Sequence, residues 1–360
     1  MAQSRGLSAG YRKIGGKPAP PRNIAAMTGG SNVALRLAPA LVLITALTAC
    51  ATPQAAAPAA PPPATTAKPV PPDPAEIAAN ELGFVPVLMY HQITPHPAGE
   101  YDQTPAEFRD ELERLYREGY RPVTAASYLA GDLDLPAGTH PVVLTFDDST
   151  GSQLSFTDSG AVSPDSAAGI LAEFGARYPD FRPVATFYVN NDPFGGDPRA
   201  LPWLAAHGHE IGAHTADHAN LATLDADGVQ RELAHNVRAI TTAAPGVAVR
   251  TMALPLGIYP RERALAAEGS WDGTGYRFEA VMLVGAGPAP APYGAIDPLA
   301  VPRIRSGRGA VPFDSGYWLD RLAAHPEQRY TADGDPARVS FPRHLTAEIG
   351  ARWADRSNPY

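Results

Sequence analysis

The sequence predicts an α/β domain whose parallel strands are either closed into a barrel or arranged as a doubly wound sheet. From about residue 80, short apolar runs alternate with amphipathic segments, which gives roughly seven βα-like units. Continuous Val-, Leu- and Phe-rich runs are typical of parallel strands that are buried on both faces. The chain has 360 residues, 44% hydrophobic and 18% charged, which suits a domain with a substantial core.

Seven apolar runs are predicted to form the strands. In chain order they are residues 85–91, 141–148, 184–190, 210–215, 251–257, 280–285 and 301–305. Helices are predicted between them. Thr104-Pro105-Ala106-Glu107 is a capping box with proline in the first turn, and Gly119 is predicted to end that helix. Three further helices are predicted to begin at Ser163-Pro164-Asp165, at Asp225 and at Asp314.

The first 49 residues have the layout of a secretory signal. An apolar run over residues 34–49, interrupted only by Arg36, follows a basic stretch and is short for a membrane span. The run ends in Leu47-Thr48-Ala49-Cys50, which resembles the bacterial lipoprotein signal, with cleavage before Cys50 and lipid attached to it. The alternatives are an ordinary signal peptide or an anchor helix with a chance cysteine. Met27 is a second possible start.

This layout predicts three parts of the chain. Residues 1–49 are expected to be the signal peptide, and residues 50–78 the lipidated cysteine and a Pro/Ala-rich tether. Residues 79–360 are expected to form a single catalytic domain. We therefore expect an exported protein that is held to a bacterial membrane through Cys50, with its domain outside the cytoplasm.

Charge and cysteine content exclude two classes of partner and site. Six of the 29 basic residues and none of the 37 acidic residues lie in residues 1–50, so the remainder has 23 basic against 37 acidic residues, a net charge of −14. An acidic body of this kind argues against a nucleic-acid partner. Cys50 is the single cysteine, so an intrachain disulfide and a cysteine-based zinc site are impossible. Any metal must be held by His, Asp or Glu.

Two pairs of polar residues stand at the ends of predicted strands. Asp147 and Asp148 follow one apolar run, and adjacent carboxylates repel each other unless a positive group such as a metal offsets them. His214 and His218 are four residues apart after another run, a spacing that brings two imidazoles to one side of a helical turn or tight loop. Neutral imidazole suits Zn²⁺, and also Co²⁺ or Ni²⁺. Each pair alone has an alternative reading as solvated loop residues.

Together with their neighbours, these residues resemble the polysaccharide deacetylases of carbohydrate esterase family 4. The resemblance spans roughly residues 84–310 and rests on five segments. They are Val87-Leu88-Met89-Tyr90-His91, Thr145-Phe146-Asp147-Asp148, Ala185-Thr186-Phe187-Tyr188-Val189, His214-Thr215-Ala216-Asp217-His218 and Asp297-Pro298-Leu299-Ala300-Val301-Pro302-Arg303-Ile304. The family implies a distorted (β/α) barrel of about seven or eight strands and a metal-dependent hydrolase that removes acetyl groups from an N- or O-acetylated polysaccharide.

The resemblance also implies residue roles. Asp147 matches the catalytic base, and Asp148, His214 and His218 match the metal ligands, with zinc, cobalt or nickel as the metal. By family analogy, the backbone N–H of Leu256 stabilises the oxyanion. His91 is a candidate acid or substrate contact, with a structural histidine as its alternative. The expected partners are an acetylated glycan and, through Cys50, a membrane; we expect no nucleic acid and a monomer.

Two positions depart from the family pattern. Ala253 stands where the family usually has an arginine that pairs with the catalytic aspartate, while Arg250 lies three residues upstream and Arg303 is another possible replacement. The family's late histidine is not evident, and His325, at the end of a predicted helix, fits it poorly. These departures favour, as the competing hypothesis, a decayed carbohydrate-binding lipoprotein of the same fold. A small-amide hydrolase is the other alternative.

Overall fold

A parallel sheet of eight strands forms the centre of the fold. The structure is a computed structural model that describes residues 72–285, 287–307 and 312–360. The predicted signal, Cys50 and most of the predicted tether lie outside the described residues, so the three-part division of the chain stays a prediction. Within the described part, no helix has the length and apolar character that crossing a membrane requires.

The described residues contain twelve strands and seven α-helices. The strands are β1 (Val87–Tyr90), β2 (Tyr120–Val123), β3 (His140–Phe146), β4 (Thr186–Val189), β5 (Glu210–Ala213), β6 (Thr251–Ala253), β7 (Glu268–Trp271), β8 (Thr274–Arg277), β9 (Ala280–Met282), β10 (Ile304–Arg305), β11 (Val339–Phe341) and β12 (Ser357–Pro359). The helices are α1 (Pro105–Arg117), α2 (Ala125–Ala130), α3 (Ala167–Arg177), α4 (Pro193–Gly196), α5 (Ala200–Ala206), α6 (Ala226–Ala243) and α7 (Ser315–Ala324).

The main sheet runs in the order β10-β1-β3-β4-β5-β6-β9, with β2 beside β3, and every pairing in it is parallel. The two edges meet through one short segment. Val301 forms a parallel bridge with Met282 of β9, and Ile304 pairs with Leu88 of β1. The sheet therefore curves round on itself, and the expected distorted barrel of about seven or eight strands is confirmed.

Alternate residues of each strand face opposite sides of the sheet, as the pleat requires. Leu144 and Phe146 of β3 lie in a hydrophobic cluster with residues of α1 and α3, whereas Val143 lies in a second cluster. Thr145 and Asp147 continue the row that begins with Val143. This row places the carboxylate of Asp147 on the face of β3 away from α1 and α3.

The predicted helix starts are confirmed at three of four places. Thr104 and Glu107 form the capping box, with Thr104 N donating to Glu107 Oε2 at 2.7 Å. Asp225 and Asp314 cap α6 and α7. The predicted start at Ser163-Pro164-Asp165 is wrong by about one turn, because Ser166 caps α3 by accepting from Gly169 N at 3.2 Å.

The sequence interpretation also missed several strands. β2 contains Pro122, a residue that cannot donate to a sheet ladder, and it pairs only with β3 within the described residues. The β7–β8 hairpin and the β11–β12 pair lie outside the main sheet and were not predicted. The predicted runs were also longer than the strands, since the run over residues 301–305 contributes only Ile304–Arg305.

Candidate active site

All six predicted site residues follow strands of the main sheet. His91 follows β1, Asp147 and Asp148 follow β3, and His214 follows β5 directly. His218 lies four residues further along the same loop, and Leu256 lies just beyond β6. The carboxyl ends of parallel strands meet at one edge of a sheet, so the topology brings these residues to one mouth of the barrel.

Asp148, His214 and His218 form one cluster. The Oδ1 atom of Asp148 lies 3.3 Å from Nε2 of His214 and 3.4 Å from Nε2 of His218. One ligand atom from each residue lies within 4.8 Å of the others, and no other group of this kind occurs in the described part of the chain. Asp148 Oδ1 is buried without a hydrogen-bond donor among the described residues. A buried carboxylate oxygen without a donor is costly unless a cation binds it, so this donor set fits a metal ion.

His214 is held in the orientation that a metal ligand needs. Its Nδ1 lies 2.8 Å from the carbonyl oxygen of Ala253 and must donate to it, which leaves Nε2 as the free acceptor. Its backbone N–H donates to Oδ1 of Asn236 at 3.1 Å. The His214 side chain is 2% exposed, whereas that of His218 is 39% exposed. The cluster therefore combines a fixed inner ligand with an outer ligand that faces the solvent.

Three of the predicted site residues have left-handed backbone conformations. The φ angles are 75° for Asp148, 52° for His218 and 60° for Leu256. Non-glycine residues rarely adopt such angles, and the strain of each is of the order of 1–3 kcal/mol. The loops at the barrel mouth are thus held in geometries that the surrounding fold must impose. The side chain of Leu256 is exposed, so its backbone lies at the surface of the mouth.

Asp147 pairs with Arg303. Nη1 of Arg303 donates to Oδ1 of Asp147 and Nη2 to Oδ2, both at 2.7 Å, and Nη1 also donates to Thr145 Oγ1 at 3.1 Å. The third donor, Nε, binds the carbonyl oxygen of Leu283 at 2.6 Å. The Asp147 and Arg303 side chains are 2% and 0% exposed. The possibility that Arg303 replaces the arginine absent at Ala253 is therefore supported by direct contact.

The charge state of Asp147 follows from this pair. Burial by itself would raise the pKa of Asp147, but the charge and hydrogen bonds of Arg303, with a smaller contribution from His91, hold the pKa well below its usual range. Asp147 is consequently an ionised carboxylate across the physiological pH range. Arg250, the other arginine considered for this role, instead binds Glu279, with Nη2 and Oε2 2.6 Å apart.

His91 lies at the same mouth, and its charge contributes to the lowered pKa values of Asp147 and Asp148. The His91 ring packs against Tyr101 with ring centroids 5.3 Å apart, and its Nδ1 is buried without a hydrogen-bond partner among the described residues. His325 is elsewhere: it ends α7, is exposed, and contacts Glu327 at 3.3 Å.

Two supporting residues were not found from the sequence. The side-chain amide of Gln153 donates to the backbone carbonyls of His91, at 2.7 Å, and Asp147. Asn190 Nδ2 donates to the carbonyls of His214, at 2.6 Å, and Thr215, at 3.0 Å. Both are amides that join separate loops, and no local pattern distinguishes such a residue from an ordinary loop amide. Gln153 lies in a long polar segment after the acid pair, which was the one available signal.

Residues 135–269 match the family model described as polysaccharide deacetylase. Over these residues the chain is similar to polysaccharide deacetylases. The matched segment of the deacetylase domain contains Asp147, Asp148, His214, His218 and Leu256, whereas His91 and Arg303 lie outside it. The structure joins these two residues to the others at the barrel mouth.

Two curated proteins similar to this chain are named chitooligosaccharide deacetylases. A chitooligosaccharide deacetylase of Bradyrhizobium sp. is 29% identical over 141 residues, which cover 39% of this chain and 56% of that protein. The chitooligosaccharide deacetylase of Sinorhizobium fredii is 32% identical over 122 residues, which cover 34% of this chain and 49% of that protein. The match thus spans about half the length of these relatives.

Solved structures agree on the fold. A Streptococcus pyogenes deacetylase determined in complex with acetate superposes with a TM-score of 0.50 at 19% identity, covering 66% of this chain and 98% of that one. A polysaccharide deacetylase of Bacillus cereus gives a TM-score of 0.50 at 20% identity, and the match covers 67% of this chain and 68% of that one. At these identities the likeness establishes the barrel architecture.

Proposed function

We propose that this chain is a metal-dependent hydrolase that removes acetyl groups from an N- or O-acetylated polysaccharide of the cell envelope or exterior. The observation that carries the proposal is the joint placement of two groups at one mouth of the barrel. An ionised Asp147, fixed by Arg303, lies next to Asp148, which forms a metal-fitting cluster with His214 and His218. The curated relatives named chitooligosaccharide deacetylases support a sugar polymer as substrate.

The cluster would hold the metal through Asp148, His214 and His218. Two imidazoles and one carboxylate are a donor set that Zn²⁺ accepts, with Co²⁺ and Ni²⁺ as alternatives. When bound, such a cation supplies Lewis acidity toward a carbonyl oxygen and toward water. The protein contributes by fixing the ligands, because Ala253 sets the His214 tautomer and Asn190 binds the His214–Thr215 backbone.

Asp147 is proposed to accept the proton of the attacking water. Both of its oxygens accept from Arg303, and each keeps a second lone pair for a further hydrogen bond. The lowered pKa keeps this carboxylate ionised but makes it a weak base, so proton transfer to it requires an acidified water. This requirement agrees with the position of Asp147 next to Asp148, one member of the metal-fitting cluster.

Leu256 is proposed to stabilise the oxyanion, and His91 is proposed to protonate the leaving group. The backbone N–H of Leu256, on a strained and exposed turn, is the candidate donor to the oxyanion of the tetrahedral intermediate. His91 is the candidate acid that returns a proton to the leaving nitrogen or oxygen of the sugar. Its position at the end of β1, close to both aspartates, supports this role.

The site would act outside the cytoplasm. The sequence over residues 1–49, the cysteine that follows it and the Pro/Ala-rich segment up to residue 78 support an exported form that is lipidated on Cys50 and held near a bacterial membrane. We propose that the catalytic domain spans residues 79–360 and acts as a monomer. Envelope glycans are the acetylated polymers within reach of such a tether.

Acetate release tests the proposed function. The detergent-solubilised full chain is incubated with a panel of N- and O-acetylated glycans, with added zinc and with chelator, and Asp148→Ala serves as the matched variant. Release that requires both zinc and Asp148 is the expected result and identifies the substrate class. Bound metal without release from any glycan would contradict the deacetylase, and absence of both would favour the decayed carbohydrate-binding lipoprotein.

A further inference from the structure

A second arginine, Arg305 of β10, lies two residues after Arg303, and the alternation of an extended chain places both side chains on the same side. Successive residues on one face of a strand are two apart, so Arg305 lies roughly 6–7 Å further toward the carboxyl end of the strand. The register supports this position, because Arg305 pairs with Met89 and Ser306 N donates to Met89 O, two residues before His91. Arg303 reaches the buried Asp147, and Arg305 therefore lies one step closer to the opening of the barrel.

The Arg305 side chain is placed by its neighbours. Its guanidinium carbon lies 5.9 Å from the ring centre of Tyr101. The Tyr101 ring also packs against the His91 ring, with the two ring centroids 5.3 Å apart. A Cβ at Gly285 would lie 2.8 Å from Arg305 Nε, so the missing side chain there leaves the space that the arginine occupies. His91, Tyr101 and Arg305 thus form a row along one rim of the site.

The contacts of Arg305 are neutral and long. Nη1 lies 3.4 Å from the Tyr101 hydroxyl oxygen, and Nη2 lies 3.5 Å from the Pro312 carbonyl oxygen. Arg303 and Arg250, by contrast, bind carboxylates at 2.6–2.7 Å. In the ion pairs of the described residues, Arg305 has no carboxylate partner. A half-buried guanidinium with only weak neutral acceptors has capacity for a strong, charge-assisted hydrogen bond.

We propose that Arg305 selects glycans that carry a carboxylate on the sugar bound beside the acetylated one. This inference rests on the proposed function, since it assumes that the barrel mouth binds a glycan. Guanidinium and carboxylate match in geometry, and the adjacent Tyr101 is partly exposed at this rim. The net charge of −14 outside residues 1–50, from 23 basic and 37 acidic residues, opposes dense polyanions. Isolated carboxylates at this rim are therefore the favoured chemistry.

Binding calorimetry tests the assignment. The two probes are an oligosaccharide of alternating N-acetylglucosamine and glucuronic acid and an N-acetylglucosamine oligomer of equal length. Each is titrated into the zinc-supplemented full chain, into Arg305→Gln and Arg305→Lys, and into the control Arg277→Gln on β8. Wild type and the control are expected to prefer the carboxylate-bearing probe about tenfold, which is about 1.4 kcal/mol. Arg305→Gln is expected to lose this preference, and Arg305→Lys to retain part of it.

Two outcomes would overturn the assignment. One is a wild-type protein that binds the two probes equally or binds neither. The other is an Arg305→Gln variant that keeps the preference. Acetate release measured on the same samples separates this inference from the proposed function: a preference without release contradicts the hydrolase and supports Arg305 as a carboxylate site. Circular dichroism of each variant checks that the fold is intact.

Discussion

Arg303 and Asp147 form a buried bidentate ion pair, with both hydrogen bonds at 2.7 Å, across 156 residues of sequence. The pair decides the protonation state of the candidate base, because burial without a cation would raise the pKa of Asp147. Arg303, which precedes β10, thus contacts the aspartate that the family pattern pairs with an arginine at the position of Ala253. The first prediction follows from removing that cation.

Arg303→Met is expected to move the acid limb of the pH–activity profile upward by about 1–3 units. Without the arginine, the desolvation that raises the pKa of Asp147 is opposed only weakly, and activity is lost as pH falls through the raised pKa. Breaking the buried pair is also expected to destabilise the fold by about 3–5 kcal/mol. Arg303→Lys keeps a charge and serves as the folded control, with a smaller shift. The kcat/KM profile and denaturant unfolding measure the two effects. An unchanged acid limb in a folded Arg303→Met protein would remove Arg303 from this role.

Asp147→Asn is expected to retain metal but to lose turnover by about 10²–10⁴-fold, because the amide oxygen cannot accept the proton of the attacking water. Metal content by atomic emission and the rate of acetate release measure the two properties on one sample. Asp165→Asn, an exposed carboxylate on the surface, is the matched control. A near wild-type rate in Asp147→Asn would mean that another group acts as the base.

Asp148→Ala and His218→Ala are each expected to lose most bound zinc, since each removes one of the three groups in the metal-fitting cluster. Equilibrium dialysis against a zinc buffer gives the stoichiometry directly. His207→Ala, which removes an exposed histidine before β5, controls for nonspecific imidazole binding. Near-stoichiometric zinc in either cluster variant would rule out this ligand set.

Cys50→Ala is expected to leave the precursor uncleaved or to release the protein from membranes, because the lipid is proposed to attach to the Cys50 sulfur. Membrane fractionation and labelling with a fatty-acid analogue are the measurements. Thr48→Ala, which keeps the cysteine and a small residue, is the companion variant. Unchanged lipid labelling of Cys50→Ala would contradict the anchor.

Glu81→Gln is expected to stabilise the protein at alkaline pH. Burial first, and then the charge of Asp333, raise the pKa of Glu81 to about 8, so this carboxyl is protonated in the folded protein at neutral pH. The folded state then binds more protons than the unfolded state between about pH 4.5 and 8, and the free energy of unfolding falls as pH rises through that range.

Gln matches the neutral acid in shape and cannot ionise. The part of the fall in the free energy of unfolding that Glu81 contributes should therefore disappear in Glu81→Gln. Thermal unfolding at pH 6 and pH 9 measures the difference. At pH 9 the melting temperature of Glu81→Gln should exceed that of the wild type by about 2–4 °C for each kcal/mol of unfolding free energy regained. The exposed Glu76→Gln is the control. Equal pH dependence of Glu81→Gln and wild type would show that the carboxyl ionises without cost.

Local sequence determined the starts of three helices and the approximate positions of seven of the eight strands in the main sheet. The capping box at Thr104 and the caps at Asp225 and Asp314 are local because each cap binds a backbone N–H within three residues. Runs of apolar residues likewise predicted the strands of the buried sheet. The order of the segments around Asp147, Asp148, His214 and His218 then predicted the family.

Tertiary structure alone decided which distant groups meet. Arg303 was one of two possible replacements for the arginine absent at Ala253, and only the closure of the sheet through residues 301–305 brings it to Asp147 rather than Arg250. The roles of Gln153 and Asn190 depend in the same way on loops that are separate in the chain. Their hydrogen bonds join groups whose proximity comes from strand order, and strand order leaves no periodic signature in the sequence.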